Sequence, residues 1–330
     1  MNQQITNLRA FAIMLIVLGH SIIIYDTNFA LLSTDVKMPL FQTLKHLVSF
    51  IQLKLFFSIS GFLMCYKVIK WQERTVNEIF KGSASFIWNK FKRLMIPMLC
   101  VCFLYMDPIK LLIGVPDYAL SWDFAAQQLT CTNIGHLWFL PCLFIIFIVM
   151  FFLLALVRNS KIGHIALFLV LALLTYKSGI FPKVFQLNEV AYYMSFFYLG
   201  YLINRVKIAF PEYKLRFKYI FAAMLIIVIG GGVLWKITSI GYEFYLSIVV
   251  VVLCYAIMPA SRNRVIDTIS NNSYGIYLFH SPLIYITAIY TPNINPWLML
   301  FINFLAFGFV AYVITYLLDN SRLRFIVGKY

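Results

Sequence analysis

Asn7-Leu8-Arg9-Ala10-Phe11-Ala12-Ile13-Met14-Leu15-Ile16-Val17-Leu18-Gly19-His20-Ser21 opens the chain with an arginine, an apolar run and a histidine. The apolar segment over 8–25 is close to the roughly 20 residues that a bilayer crossing needs. No small-residue cleavage site follows it, so it reads as a retained first span rather than a signal peptide. Arg9 and His20 stand eleven residues apart, and that length of helix advances roughly 16 Å, about half the hydrocarbon thickness. With the guanidinium at one headgroup layer, the imidazole lies deep in lipid. An ionisable group at that depth is costly and is by default a functional-site candidate.

The same reading recurs along all 330 residues, of which 62% are hydrophobic and 12% charged. That composition excludes soluble domains. Further spans are predicted at 47–69, 94–113, 137–157, 162–180, 190–206, 218–238, 242–260, 274–291 and 295–318, the fifth having the shortest uninterrupted stretch. The net charge of +15 suggests nucleic acid until its distribution is read. With the N-terminus placed inside, alternate connections carry nineteen Lys and Arg against six on the other side, which is a positive-inside signature and no sign of a nucleic-acid partner. The basic groups at 158–161 and 205–218 share a side only if an even number of crossings separates them, which supports the fifth span. The six cysteines lack metal-ligand spacing and read as packing residues. No metal site is expected. The fold class is therefore an all-α integral membrane protein, a polytopic bundle of about ten transmembrane helices with both termini cytoplasmic. Residues 1–330 are expected to form a single membrane-embedded domain, with connections at 26–46, 70–93 and 107–136 the longest.

Chemistry must come from polar residues inside or at the mouths of the bundle. Lys54 lies about two turns into the second span, ahead of Ser58 and Ser60. At that depth it must pair, line a wet cavity or snorkel outward. Depth counting places it and His20 both in the outer half of the membrane, so the two are candidates for one cavity. His136 and Trp138 open the fourth span, where an interfacial tryptophan belt explains Trp138 equally well. His280 precedes Pro282, which frees a backbone carbonyl that Ser281 or a neighbour must re-satisfy. His46 and His164 sit near span ends and read as solvated. Lys90 and Arg93, three apart, would share a helical face, either against anionic headgroups or as a grip for phosphate.

Taken in order, these segments resemble the acyltransferase family 3 membrane proteins, which include bacterial O-antigen and exopolysaccharide O-acetyltransferases. The resemblance rests on Asn7-Leu8-Arg9 through His20, and on Phe56-Phe57-Ser58-Ile59-Ser60-Gly61-Phe62. It continues in Lys90-x-x-Arg93-Leu94 with Pro97, His136-Leu137-Trp138-Phe139-Leu140, and Ser273-Tyr274-Gly275-Ile276-Tyr277-Leu278-Phe279-His280. It implies transfer of an acyl group, usually acetyl from acetyl-CoA, to a sugar hydroxyl of a lipid-linked or exported glycan such as O-antigen or capsule. The implied location is the bacterial inner membrane, with membrane lipids and the glycan acceptor as partners. Two departures stand out. Lys90 replaces an arginine that would bind phosphate bidentately, and Phe139-Leu140-Pro141-Cys142-Leu143-Phe144, directly after Trp138, carries no glutamate where the family has one.

Acyl transfer from a thioester needs a base for the acceptor hydroxyl, a donor for the oxyanion and a grip on the CoA phosphates. Imidazole suits the first task, which assigns His20 as base or transient acyl carrier. Arg9 is placed at the donor's phosphate or pantetheine end, and Lys90 and Arg93 at its adenosine phosphates. Ser60, Lys54, His136, Trp138 and His280 are secondary candidates. Two other classes compete. A polysaccharide or precursor exporter fits buried cations but favours paired, symmetry-related broken helices, which the sequence does not show. A structural or receptor protein gives no reason for the basic cluster and the buried imidazoles together.

Overall fold

The computed structural model describes residues 2–26, 34–115, 118, 121–210, 230 and 239–330, and among them no strand occurs. The helices are α1 (Gln3–Ser21), α2 (Pro39–Ile69), α3 (Val76–Lys81), α4 (Ser83–Leu112), α5 (Trp122–Leu129) and α6 (Gly135–Val157). They continue with α7 (Lys161–Tyr176), α8 (Leu187–Ala209), α9 (Ser239–Ile257), α10 (Arg264–Tyr290) and α11 (Pro296–Asp319). By length and composition α2, α4, α6 and α11 are apolar enough to cross a membrane. Nine of the ten predicted spans meet a described helix. The other, 218–238, lies outside the described residues but for Gly230, as do Pro116 and Asp117 of the connection at 107–136.

Local chemistry moves several boundaries. Asn2 caps α1, its side chain accepting from the Gln4 N–H at 3.0 Å, so Arg9 lies inside the helix rather than at its start. Pro39 takes the first position of α2, where its missing N–H costs nothing. The helix therefore begins eight residues ahead of the predicted span. Lys45 and His46 become helical, and Lys54 sits about four turns from the helix start instead of two. The expected connection at 70–93 is largely helical. Thr75 and Glu78 form a capping box that starts α3, and α4 begins at Ser83, so Lys90 and Arg93 belong to α4. The fifth predicted span ends early, at Tyr176, before a single 3-10 turn over Ser178–Ile180.

Hydrogen bonds gather the chain ends and the basic connections on one end of the bundle, the terminal face. Arg205 Nη1 donates to the Arg158 carbonyl at 3.0 Å, and Tyr330 Oη to the Lys92 carbonyl at 2.7 Å. Gln4 Nε2 reaches the Met258 carbonyl at 3.1 Å, and Lys207 Nζ reaches Gln4 Oε1 at 2.6 Å. The groups at 158–161 and 205 thus share a face, separated by the two passes α7 and α8.

The interface of α2 with α8 depends on two glycines. A Cβ at Gly61 would overlap the Phe197 carbonyl, and one at Gly200 the Ser58 carbonyl. This backbone-to-backbone approach is the small-residue packing that lipid favours, where no hydrophobic drive holds helices together. Beside it Phe57 stacks on Tyr193 with centroids 4.5 Å apart, and Asn204 Nδ2 donates to the Phe62 carbonyl at 2.8 Å. Five of the cysteines are buried and all six are free.

α4 widens into a π-turn over Cys102–Met106 just before Asp107-Pro108, which accommodates a proline that has no N–H to give. The turn delivers Tyr105 to α10, where its hydroxyl donates to the Phe279 carbonyl at 3.1 Å.

A candidate active site built on three histidines

Pro282 lies inside α10, and it cannot donate to the carbonyl of Leu278 one turn earlier. His136 does so instead, its Nε2 standing 3.1 Å from that oxygen. A carbonyl only accepts, so His136 carries its proton on Nε2. His280, fully buried in the same helix, has Nδ1 2.9 Å from the Ile276 carbonyl and 3.0 Å from that of Tyr277. The same logic puts its proton on Nδ1. Its Nε2 then points a lone pair at Nδ1 of His20, 2.7 Å away on α1. The two rings lie nearly parallel, 18° apart with centroids at 5.0 Å, and His136 stands edge-on to both. The sequence marks each histidine singly; α1, α6 and α10 bring them together. Among the described residues no group of side chains is arranged to hold a metal ion.

Two buried lysines flank the cluster. Lys45, 8% exposed, bonds Ser49 Oγ at 2.8 Å and faces His20 electrostatically. Lys110, 5% exposed, lies between the rings of Tyr118 and Tyr285, 5.0 Å from each centroid. Tyr285 and Ser281 in turn border a void of about 20 Å³ beside His20, room for roughly one water-sized oxygen.

On the terminal-face side, Arg9 and Ser60 line a single cavity of about 180 Å³ together with Ser270, Tyr274, Phe139 and Tyr277. Among the described residues Arg9 makes no ion pair. The buried Ser270 Oγ and Tyr274 Oη also lack hydrogen-bond partners. Polar atoms with spare hydrogen-bonding capacity around a guanidinium suit a polar ligand. Tyr277 separates this cavity from the imidazoles: its hydroxyl donates to the His136 carbonyl and its ring stands 5.6 Å from that of His136.

Lys54 does not share a cavity with His20. It pairs with Glu243 of α9 at 3.1 Å and lies over Phe50, 4.2 Å from the ring centroid. Pair and ring border a cavity of about 630 Å³ on the opposite face, together with Asn188, Glu189 and Tyr192. An adjoining cavity of about 330 Å³ shares Asn188 and Glu189 and adds Trp138, which packs on Tyr193 with centroids 5.8 Å apart. Asn188 Oδ1 is buried with no hydrogen-bond partner among the described residues. The sequence analysis singled out none of Glu243, Glu189 and Lys45 as site residues, because each lies within two residues of a predicted span end, where a charge is ordinary.

The basic pair diverges. Arg93 is exposed, whereas the Lys90 ammonium sits 3.4 Å from the centre of the Phe147 ring. His46 is exposed as expected, but His164 is not simply solvated. Its Nδ1 meets Tyr198 Oη at 2.8 Å and its Nε2 accepts from Arg205.

Residues 2–319 match the model of one protein family, described as an acyltransferase domain. No curated protein and no solved structure matches the chain.

Proposed function

The chain belongs to acyltransferase family 3 and is a multi-pass membrane acyltransferase; from that premise we propose that it moves acetyl from acetyl-CoA to a sugar hydroxyl of a lipid-linked or exported surface glycan. One observation carries this reading: an imidazole hydrogen-bonded to a second imidazole, about one helical turn beyond a cavity lined by a guanidinium that makes no ion pair among the described residues.

Arg9 fits the donor arm. Its free charge and the orphaned Ser270 and Tyr274 hydroxyls suit the amides and phosphates of a pantetheine chain. A cavity of about 180 Å³ takes an arm and no nucleotide, so the adenosine phosphates stay at the terminal face beside exposed Arg93. Lys90, its ammonium already seated on an aromatic ring, contributes less. His20 removes the acceptor hydroxyl's proton as that oxygen attacks the thioester carbonyl. The tetrahedral adduct collapses with cleavage of the C–S bond, and the imidazolium returns the proton to the departing thiolate. The reacting hydroxyl fits the one-oxygen void beside His20, while the opposite-face cavities, which His20 does not line, suit the neighbouring sugars of the acceptor: they offer carboxylates, amides and ring faces in volumes within the range of ordinary ligand sites. The excess of cations at the terminal face supports a cytoplasmic position for both termini in a bacterial inner membrane, with donor entry from that side.

Purified protein in liposomes with glycan acceptor and labelled acetyl-CoA tests this. Label should appear as ester on the glycan, and His20→Ala should abolish it while leaving the detergent-solubilised protein monodisperse. Transfer at the wild-type rate by His20→Ala overturns the assignment.

A further inference from the structure

We propose that His280 is a positioning residue that holds His20 in the tautomer with its proton on Nδ1, leaving Nε2 as the free base. The proposal rests on the acyl-transfer reading for its consequence, but the tautomer itself is a property of the folded chain.

The argument runs from the backbone outward. The His280 ring is fixed at Nδ1 by two carbonyls of its own helix, at 2.9 and 3.0 Å. That helix is in turn pinned by Tyr105 on the Phe279 carbonyl and by His136 on the Leu278 carbonyl. The ring is fully buried, so no water competes for its Nε2. At 2.7 Å the contact with His20 Nδ1 requires one proton between two nitrogens, and His280 already has its own on the other side. His20 must therefore donate, and its Nε2 keeps the lone pair. A neutral acceptor here does the orienting work that a carboxylate does in other acyl-transfer triads, which suits a chain whose segment directly after Trp138, Phe139-Leu140-Pro141-Cys142-Leu143-Phe144, carries no carboxylate.

The charged and titratable groups around the pair are named readily. Lys45 of α2 faces His20, with Asp26 beyond it. His136 faces both imidazoles, and Lys110 of α4 lies behind His136 beside Asp107. Tyr277 of α10 stands 6.3 Å from His280 by ring centroid, and Tyr285 borders the void beside His20. Among the described residues no carboxylate forms an ion pair with any of the three histidines. The proton taken up at Nε2 therefore leaves the Nδ1–H bond to His280 intact.

Full-length protein carrying ¹⁵N-histidine in lipid bilayers gives the direct readout, with His20 resonances identified by their loss in His20→Gln. At neutral pH wild-type His20 should show a protonated Nδ1 and an unprotonated Nε2. His280→Leu removes the acceptor and should let His20 take the other tautomer, with kcat down by about 10²–10⁴-fold, the scale of a mis-set triad histidine, and KM for acetyl-CoA unchanged. His280→Gln, whose amide oxygen can accept the same proton, should recover at least about tenfold of that loss. It should also move the acid limb of the kcat/KM profile. Wild-type His20 protonated on Nε2 overturns the proposal, as does His280→Leu with both tautomer and rate intact. If His280→Leu does not fold, the wild-type spectrum and His280→Gln decide. If wild-type protein transfers no acetyl, the acyl-transfer reading fails while the spectrum still reports on the tautomer.

Discussion

Replacing Gly61 by alanine is the sharpest test of how the bundle is held together. The added methyl would overlap the Phe197 carbonyl, which is backbone and cannot rotate away. To restore ordinary contact of about 3.5–4 Å, α2 and α8 must separate locally by roughly 1–2 Å, a gap that forfeits much of the dispersion energy along the crossing. Overpacking of this kind costs typically about 1–3 kcal/mol, and the clash with rigid backbone puts Gly61→Ala at or above the upper end. In a thermal melt of detergent-solubilised protein this should lower the midpoint by about 5 °C or more. Gly200→Ala meets the Ser58 carbonyl at the same crossing, so it should cost about as much. The double variant should cost less than the sum, because one separation relieves both overlaps. The same displacement carries Ser60 and Lys54, which line the two cavities on either side. A misplacement of about 1 Å near reacting groups can cost on the order of 10²-fold in rate, so transfer should fall alongside stability. A Gly61→Ala protein with an unchanged melting midpoint would refute the packing argument, and the Phe-Phe-x-x-Ser-Gly element would need a chemical explanation instead.

Two other changes follow from the site. Arg9→Lys keeps the charge but loses the planar fork and should raise KM for acetyl-CoA about tenfold; Arg9→Gln should raise it about a hundredfold, in steady-state assays over a range of donor concentrations. Equal effects of the two would mean that the planar fork alone matters, and an unchanged KM in Arg9→Lys that charge alone does. In the Lys54–Glu243 pair the lysine side chain is 4% exposed and the glutamate 54%. Glu243→Gln therefore strands a buried ammonium, at about 1–2 kcal/mol once solvent at the glutamate is allowed for. Lys54→Met leaves a carboxylate that water can serve and should stay within about 0.5 kcal/mol. Thermal melts showing the reverse order would overturn the assignment of which partner is buried.

The cluster at His20 illustrates how far the one-dimensional pattern reaches. The depth of His20 relative to Arg9 was legible, because helical rise is fixed and a span has one axis. So was the grouping of basic connections on one face, since cation placement is a property of loops and needs no knowledge of packing. Pro282 announced an unsatisfied carbonyl but not its partner, because His136 lies on a different helix. The shared outer-half depth of His20 and Lys54 suggested one cavity; rotation about each helix axis puts them in two.

What the amino-acid order determined by itself was the set of apolar spans with a described helix, the charge asymmetry of their connections and the polar residues stranded within them. Each follows from local composition and the fixed length of a helical turn. Tertiary structure decided which faces meet: the convergence of His20, His136 and His280, the glycine crossing of α2 with α8, and the burial of Lys45 and Lys110. In water, a helix declares its inward face by being apolar there. In lipid, the outward face is apolar too, so the sequence carries little record of rotation, and small residues and hydrogen bonds between helices set it instead.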